Sequence, residues 1–325
     1  MTTALRLRHA VSVAEHASFR RAAATLRISQ PALTKSIQAL ESELGVMLFE
    51  RRRDGVIPTE FGKLVVEHAH DMVQAESEFL RRINLLAGLE TGSLKVALGP
   101  LPTAMSAYPA AGALLSKHPN LRISFQSTAW REVTQAVVDK KVDLGIAELS
   151  GAALDDSLQT EMVGQHRAYF CCRAGHPILR KRAIALKDLL QYPWATTRLP
   201  PRHAATLPRD TGRAGYIDSF SGDFVPAIDV GTPTILGHLV VHSEVLLLCT
   251  LTLVEQDLKT GSVVIVPTPR LDFRASYGFI YLRSRPLSPA TEAFMNEIRA
   301  QERALVDHEA KLEAHFRFAS KQASV

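Results

Sequence analysis

The chain has 325 residues, 46% hydrophobic and 22% charged, with a net charge of +5. That is the make-up of an ordinary globular protein with room for two or three domains. Three cysteines in such a length exclude a disulfide scaffold.

The charge is unevenly placed. Residues 1–65 hold ten Lys/Arg against six Asp/Glu, so nearly all the excess sits in the first fifth of the chain. A basic end on a near-neutral body points to a polyanion partner for that end. The N-terminus has no apolar stretch of signal-peptide length. The longest apolar run, 245–254, is interrupted by Thr250 and Thr252 and is too short to span a bilayer. A reduced, cytoplasmic protein with no membrane partner is expected.

In chain order, Leu7, Ala10, Val11 and Ala14 recur at helical spacing. Ser18 suits the N-cap of a second helix that buries Phe19, Ala22, Ala23 and Leu26. A turn at Arg27 and Ile28 leads to a third helix, with Pro31 at its start, where proline is tolerated. Its inward stripe is Leu33, Ile37, Leu40 and Leu44. Its other face carries Gln30, Ala32, Thr34, Lys35, Gln38 and Glu41. Gln can bond adenine, Lys can reach guanine or phosphate, and Ala or the Thr methyl can touch a thymine methyl. Such a face is also what a merely solvated helix shows. Arg51, Arg52 and Arg53 follow, with Asp54-Gly55 supplying a hairpin turn. Three arginines on a hairpin suit phosphates or a narrow minor groove. The order is that of a winged helix-turn-helix, with the helix-turn-helix at about 18–37.

Thr59 and Glu60 read as the start of a long helix, free of Gly and Pro over 63–87. Its stripe of Phe61, Val65, His68, Met72, Ala75, Phe79, Ile83 and Leu86 is close to a coiled-coil seam and calls for a partner chain. Gly88 and Gly92 mark a domain boundary.

From Leu94 strands and helices alternate, which predicts an α/β body with a mostly parallel sheet. Strands are expected at 94–98, 121–125, 144–147, 168–172, 194–197, 227–230, 245–248, 263–266 and 277–282. Helices are expected near 105–116, 132–138, 233–241 and 289–303. In such sheets a ligand sits beyond the carboxyl ends of the strands. The residues that reach that edge are Pro100, Leu101, Pro102, Thr103, Ser127, Thr128, Ala147, Thr196, Thr197, Arg198, Val230, Thr232 and Thr234. Hydroxyls and free helix amides suit a small anion, and Arg198 would add charge. Any one of these hydroxyls could equally be a helix cap.

The N-terminal third closely resembles the LysR-type transcriptional regulators. The resemblance runs through residues 7–19, Arg21-Ala22-Ala23, Ser29-Gln30-Pro31-Ala32-Leu33-Thr34-Lys35, Ile37, Leu40-Glu41, Leu44-Gly45, Leu48-Phe49-Glu50-Arg51, Thr59-Glu60 and Gly62. The body is similar to that family's periplasmic-binding-protein-like effector domain, through Gly92-Ser93-Leu94, residues 119–123, Asp143-Leu144-Gly145-Ile146, Gly175-His176-Pro177 and Arg285-Pro286-Leu287-Ser288. The resemblance is weak over 199–223. It implies an α/β fold class with a winged helix-turn-helix domain (1–59), a linker and dimerisation helix (60–90), and an effector domain (93–303). That domain would have subdomain I at 93–165 and 268–303 and subdomain II at 166–267, and an extension would follow (304–325). It also implies dimers and tetramers on a partly palindromic double-stranded operator, with a small organic effector altering DNA bending and contact with RNA polymerase. Ser29, Gln30, Pro31, Thr34 and Lys35 would be the recognition-helix contacts and Arg51 the wing contact. Lys35 stands where the family often has Arg, Ala10 where an aromatic is common, and Arg20, a further phosphate contact, where Thr is common. In the tail, Leu305, Leu312, Phe316 and Phe318 either pack on the body or fray.

Alternatives remain at this stage. A cysteine-based redox sensor of the same family would use Cys171, Cys172 or Cys249. The first two are adjacent on a predicted strand, face opposite ways and would make a strained link. A small-ligand-binding protein without a DNA target could share the body's fold. For an enzyme, the phosphate-cradling, nucleophile-elbow and C-x-x-C motifs are missing, and His308-Glu309 lacks the second His of a zinc site because Leu312 occupies its place. No catalytic residue, metal site or cofactor is therefore expected.

Overall fold

The computed structural model describes residues 3–52, 55–86, 93–231, 233, 236–268 and 271–322. Arg53, Asp54, Gly88, Gly92, Thr232 and Thr234, singled out above, lie outside the described residues, as do the side chains of Arg51, Arg52, Leu86 and Phe318. The chain divides into two compact units, 1–89 and 90–325.

The first unit contains α1 (Thr3–His16), α2 (Phe19–Thr25), α3 (Gln30–Leu44), the antiparallel pair β1 (Phe49–Arg52) and β2 (Gly55–Pro58), and α4 (Glu60–Leu86). Leu7, Ala10, Val13, Phe19, Ala22, Leu33, Ile37, Leu40, Leu48 and Ala69 share one core. Val13 takes the central place expected of Val11 and Ala14, which lie half-buried at its edge. The buried His9 Nδ1 meets Ser36 Oγ at 2.7 Å and ties α1 to α3. Burial lowers the His9 pKa.

Two side chains of α3 reverse their expected places. Leu44 is the last helical residue and is 46% exposed, because Gly45 turns left-handed (φ 71°) before the chain re-enters the core at Leu48. Glu41, expected on the outer face, turns back instead. Its Oε1 accepts from Leu48 N at 2.8 Å and Phe49 N at 3.3 Å and so anchors β1. Thr59 Oγ1 accepts from Gly62 N at 3.0 Å and donates to Met47 O at 2.7 Å, which starts α4 against the same loop. The approach is close enough that a Cβ on Gly62 would stand 2.0 Å from Leu48 O. Farther along α4, Met72, Phe79 and Ile83 are exposed.

The second unit holds β3 (Ser93–Leu98), α5 (Pro100–Met105), α6 (Ala107–Lys117), β4 (Arg122–Ser127), α7 (Trp130–Val138), β5 (Leu144–Ala147), β6 (Leu158–Arg167) and β7 (Tyr169–Arg173). There follow α8 (Leu186–Leu189), β8 (Trp194–Thr196), α9 (Pro201–Ala204), β9 (Gly215–Ile217), β10 (Phe224–Pro226), β11 (Ile228–Asp229), α10 (Leu236–Val241) and β12 (Leu246–Cys249). The last elements are α11 (Glu255–Thr260), β13 (Val263–Ile265), β14 (Arg274–Leu282) and α12 (Pro289–Gln322). One sheet has the order β4-β3-β5-β14-β6, the other β11-β8-β12-β7-β13.

Both sheets are mixed but mostly parallel, as expected. In each, four strands run one way and one runs against them, β14 in the first sheet and β7 in the second. The cause is the two crossings between sheets. β6 runs straight on through Ala168 into β7, and the chain returns from β13 to β14, so each crossing enters its new sheet as the one reversed strand. Helices cover both faces. On the first sheet, Leu94, Val96, Phe279, Phe294 and Ile298 form one core, while Ala97, Val133, Val137 and Ile280 form the other.

The tail does not fray within the described residues: α12 is one helix of 34 residues. Phe294, Ile298 and Leu305 pack in the first-sheet core, whereas Leu312 and Phe316 pack with Val240, Leu251 and Val254 under the second. A polar network accompanies this bridge. His166, wholly buried, meets Glu309 Oε2 through Nδ1 and Glu302 Oε2 through Nε2, each at 2.8 Å. Tyr277 donates its hydroxyl to Glu302 Oε1 at 2.7 Å, and Thr252 donates to Glu309 Oε1 at 3.0 Å. Both ring nitrogens thus face carboxylate oxygens, an arrangement that the doubly protonated imidazolium satisfies. Burial alone would lower the His166 pKa, but the hydrogen bonds and charges of Glu302 and Glu309 outweigh it and raise it to about 9.

Candidate DNA-binding face and effector cleft

In the first unit, α2 and α3 are joined by a turn in which Arg27 is left-handed (φ 54°). Both helices are capped as their sequences require. Ser18 Oγ accepts from Arg21 N and Ser29 Oγ from Ala32 N at 3.3 Å. With Leu33, Ser36, Ile37 and Leu40 buried, the start of α3 leaves Ser29, Gln30, Pro31, Ala32, Lys35 and Gln38 exposed and Thr34 half-buried. Arg20 is exposed on α2. The Ser29 hydroxyl already has the cap as its task. In the hairpin, Arg51 pairs with Val56 and Arg52 with Gly55, which puts both at the end away from Phe49 and Pro58.

In the second unit a cavity of about 500 Å3 opens between the two sheets at the carboxyl ends of their parallel strands. Pro100, Leu101, Pro102, Ser127, Thr128, Thr196, Thr197, Arg198 and Val230 line it. Two expected residues do not. Ala147 is wholly buried beneath Gly99, where a Cβ would sit 3.2 Å from its own Cβ. Thr103 turns its hydroxyl back to Gly99 O at 2.7 Å and touches Ser127 Oγ at 3.3 Å, because a threonine in a first helical turn can satisfy a carbonyl four residues earlier.

The charged lining escapes sequence reasoning. Arg131 bonds Asp223 through Nη2–Oδ1 at 2.8 Å and Nε–Oδ2 at 3.1 Å, and donates to Ser221 O at 3.2 Å. Its guanidinium also stacks 4.2 Å over the Trp130 ring. Arg202 pairs with Glu148 and reaches Ser150 Oγ at 2.9 Å. These two pairs cross the cleft in opposite directions. Arg198 Nε meets Asp229 Oδ2 at 2.8 Å, and Arg274 Nε meets Asp272 Oδ1 at 2.9 Å. Each arginine of the lining therefore has a carboxylate of its own. Arg198, expected to offer an anion a free cation, is thus already paired through its Nε. Burial, then the charge of Arg202, lowers the pKa of His203, whose Nε2 meets Arg274 O at 3.0 Å. No sequence signal marks these pairs, whose partners stand 92 and 54 positions apart across the cleft.

The three cysteines are free and buried. Cys171 and Cys172 point to opposite faces of β7, into separate cores. A hydrogen bond with Cys249 and then burial raise the Cys171 thiol well above its ordinary pKa, and burial pushes Cys172 to about 12. A thiol held protonated and shielded is inert to oxidants. Among the described residues no group of three or more His, Cys, Asp or Glu is placed to hold a metal, and no helix is long and apolar enough to cross a membrane.

A capped helix-turn-helix with a β-hairpin wing, followed in the chain by a two-sheet domain with a ligand-sized cleft, defines a ligand-responsive DNA-binding regulator. Residues 5–63 match the bacterial regulatory helix-turn-helix domain of the lysR family, and residues 87–303 match the LysR substrate binding domain. The chain belongs to the LysR family of bacterial transcriptional regulators. It is 31% identical to the SDS degradation transcriptional activation protein of a Pseudomonas species, over 88% of this chain and 92% of that one. It is 29% identical to the transcriptional regulator GbpR of Azospirillum brasilense, over 91% of this chain and 86% of that one. The crystal structure of CbnR, a LysR family regulator, shares the fold with a TM-score of 0.55 at 18% identity, covering 93% of this chain and 99% of that one.

Proposed function

We propose that this regulator binds a partly palindromic operator, with residues 1–59 as the DNA-binding domain and the start of α3 in the major groove. Gln30, Ala32, Thr34, Lys35 and Gln38 would face base edges. Arg20, Ser29, Pro31 and the arginines of the hairpin would lie along the backbone or minor groove. The observation that carries the reading is the exposed polar face at the start of α3, held by its cap and by the opposite face of Leu33, Ser36, Ile37 and Leu40 buried in the core. The exposed apolar residues of α4 fit a second copy of the chain, and pairing would set two recognition helices about one DNA turn apart, ~34 Å. Tetramers and contact with RNA polymerase extend the same reading, as does a small organic effector in the cleft between subdomain I (93–165, 268–303) and subdomain II (166–267). Buried, protonated thiols speak against a redox trigger.

The test is selection of DNA from a random library by the full-length protein at two salt concentrations. Enrichment of one partly palindromic sequence is expected. Binding without preference that vanishes steeply with salt would reduce the basic unit to an electrostatic patch and overturn the reading.

A further inference from the structure

We propose that the cleft selects an effector with an apolar body and an uncharged, hydrogen-bonding head, rather than an organic anion. The proposal rests on the reading that the cleft is the effector site.

The cavity holds three carboxylates, of Glu148, Asp223 and Asp229, and every arginine beside them is engaged. Among the described residues, an incoming anion meets no lining arginine that lacks a carboxylate partner. To take the two-bond Nε/Nη2 edge of Arg131 it must displace Asp223, which is 1% exposed and would stay buried without its counter-ion. A charge stripped of its partner in a dry site is strongly unfavourable, and the ligand's own lost hydration adds to that. Displacing Glu148 from Arg202 carries the same penalty and also parts a pair that spans the cleft. A cationic ligand would find acids, but acids already bonded to arginine.

A neutral head needs no exchange of partners. Ser127, Thr196 and Thr197 offer hydroxyls at the carboxyl ends of β4 and β8, each able to donate and accept. The rest of the wall, including Leu101, Trp130, Val230, Leu248 and Phe273, suits an apolar chain or ring. The volume of about 500 Å3 is that of a small-molecule site.

The test uses three probes with one alkyl chain: 1-octanol, octanoate and octylammonium, titrated at pH 8 by calorimetry against the full-length protein. Octanol is expected to bind at least about tenfold more tightly than either ion, the difference of a single unpaired charge-assisted contact. Asp229→Asn, at a position open to solvent, frees Arg198 and should raise octanoate binding about tenfold relative to octanol. Octanoate binding wild type as tightly as octanol, or a ratio unmoved by Asp229→Asn, would overturn the proposal, as would failure of octanol to bind. A Leu101→Trp variant, which fills the cleft, separates this from the underlying reading. Octanol binding that survives Leu101→Trp lies elsewhere and removes the cleft as the site. Binding lost in Leu101→Trp but favouring octanoate in wild type removes only the chemical class.

Discussion

Replacing His166 by Gln should destabilise the effector domain in a pH-dependent way. The imidazole rises from 6.5 in the unfolded chain to about 9 in the fold. At about 1.4 kcal/mol per tenfold, that difference is worth about 3 kcal/mol of folding stability. The sign follows from the direction. A group whose folded pKa is raised contributes fully below pH 6.5, and its contribution is lost as pH climbs through about 9. His166→Gln also leaves Glu302 and Glu309 facing a neutral amide, a broken buried pair of the kind that costs about 3–5 kcal/mol. Urea unfolding of wild type and variant at pH 6, 8 and 10 would measure both effects. The gap between the two proteins should be largest at pH 6 and shrink by about 3 kcal/mol at pH 10. A gap that stays constant across this range would refute the imidazolium assignment. A variant as stable as wild type at pH 6 would refute the network's contribution altogether.

Other outcomes follow from single contacts. Gln30→Ala or Lys35→Ala should each cost about 1–3 kcal/mol of operator affinity in fluorescence anisotropy and leave ligand binding in the cleft intact, while Thr128→Val should do the reverse. Ser29→Ala should lower the stability of the DNA-binding unit by about 1 kcal/mol in thermal unfolding, whereas Ser29→Gly should cost only a few tenths; equal losses would mean that the hydroxyl does more than cap α3. Gly62→Ala, favourable by helix propensity alone, should instead destabilise that unit by more than about 1 kcal/mol, because the new methyl meets Leu48 O; a rise in melting temperature would show that α4 can shift away at little cost.

What the sequence made legible is what depends on near neighbours. The caps at Ser18 and Thr59 need only the next three residues, and the stripe Leu33, Ile37, Leu40 only the helical repeat. Leu44 and Glu41 broke the pattern because their partners are set by the chain beyond Gly45. The strand Leu158–Arg167 gave no alternating apolar signal, since Gln159, Glu161 and Gln165 are polar and its order comes from pairing with β14. The hairpin of β9 and β10 begins in the stretch where family resemblance is weak and carries no alternating signal. In the cleft, hydroxyls at strand ends could be placed by topology. The arginine–carboxylate pairs could not, because nothing local says that Arg131 will find Asp223.

The long final helix has a mechanical consequence. At 34 residues it is a rod of about 51 Å, seated at one end by Phe294 and Ile298 and at the other by Leu312. Tilting one sheet away from the other must either bend that rod, at the expense of its own hydrogen bonds, or lift Leu312 from its socket. Rolling one sheet about the rod's axis likewise carries the socket away from Leu312, because both seats belong to one helix. The helix is therefore a strut between the two halves, and any change in the cleft's width must unseat one of its ends.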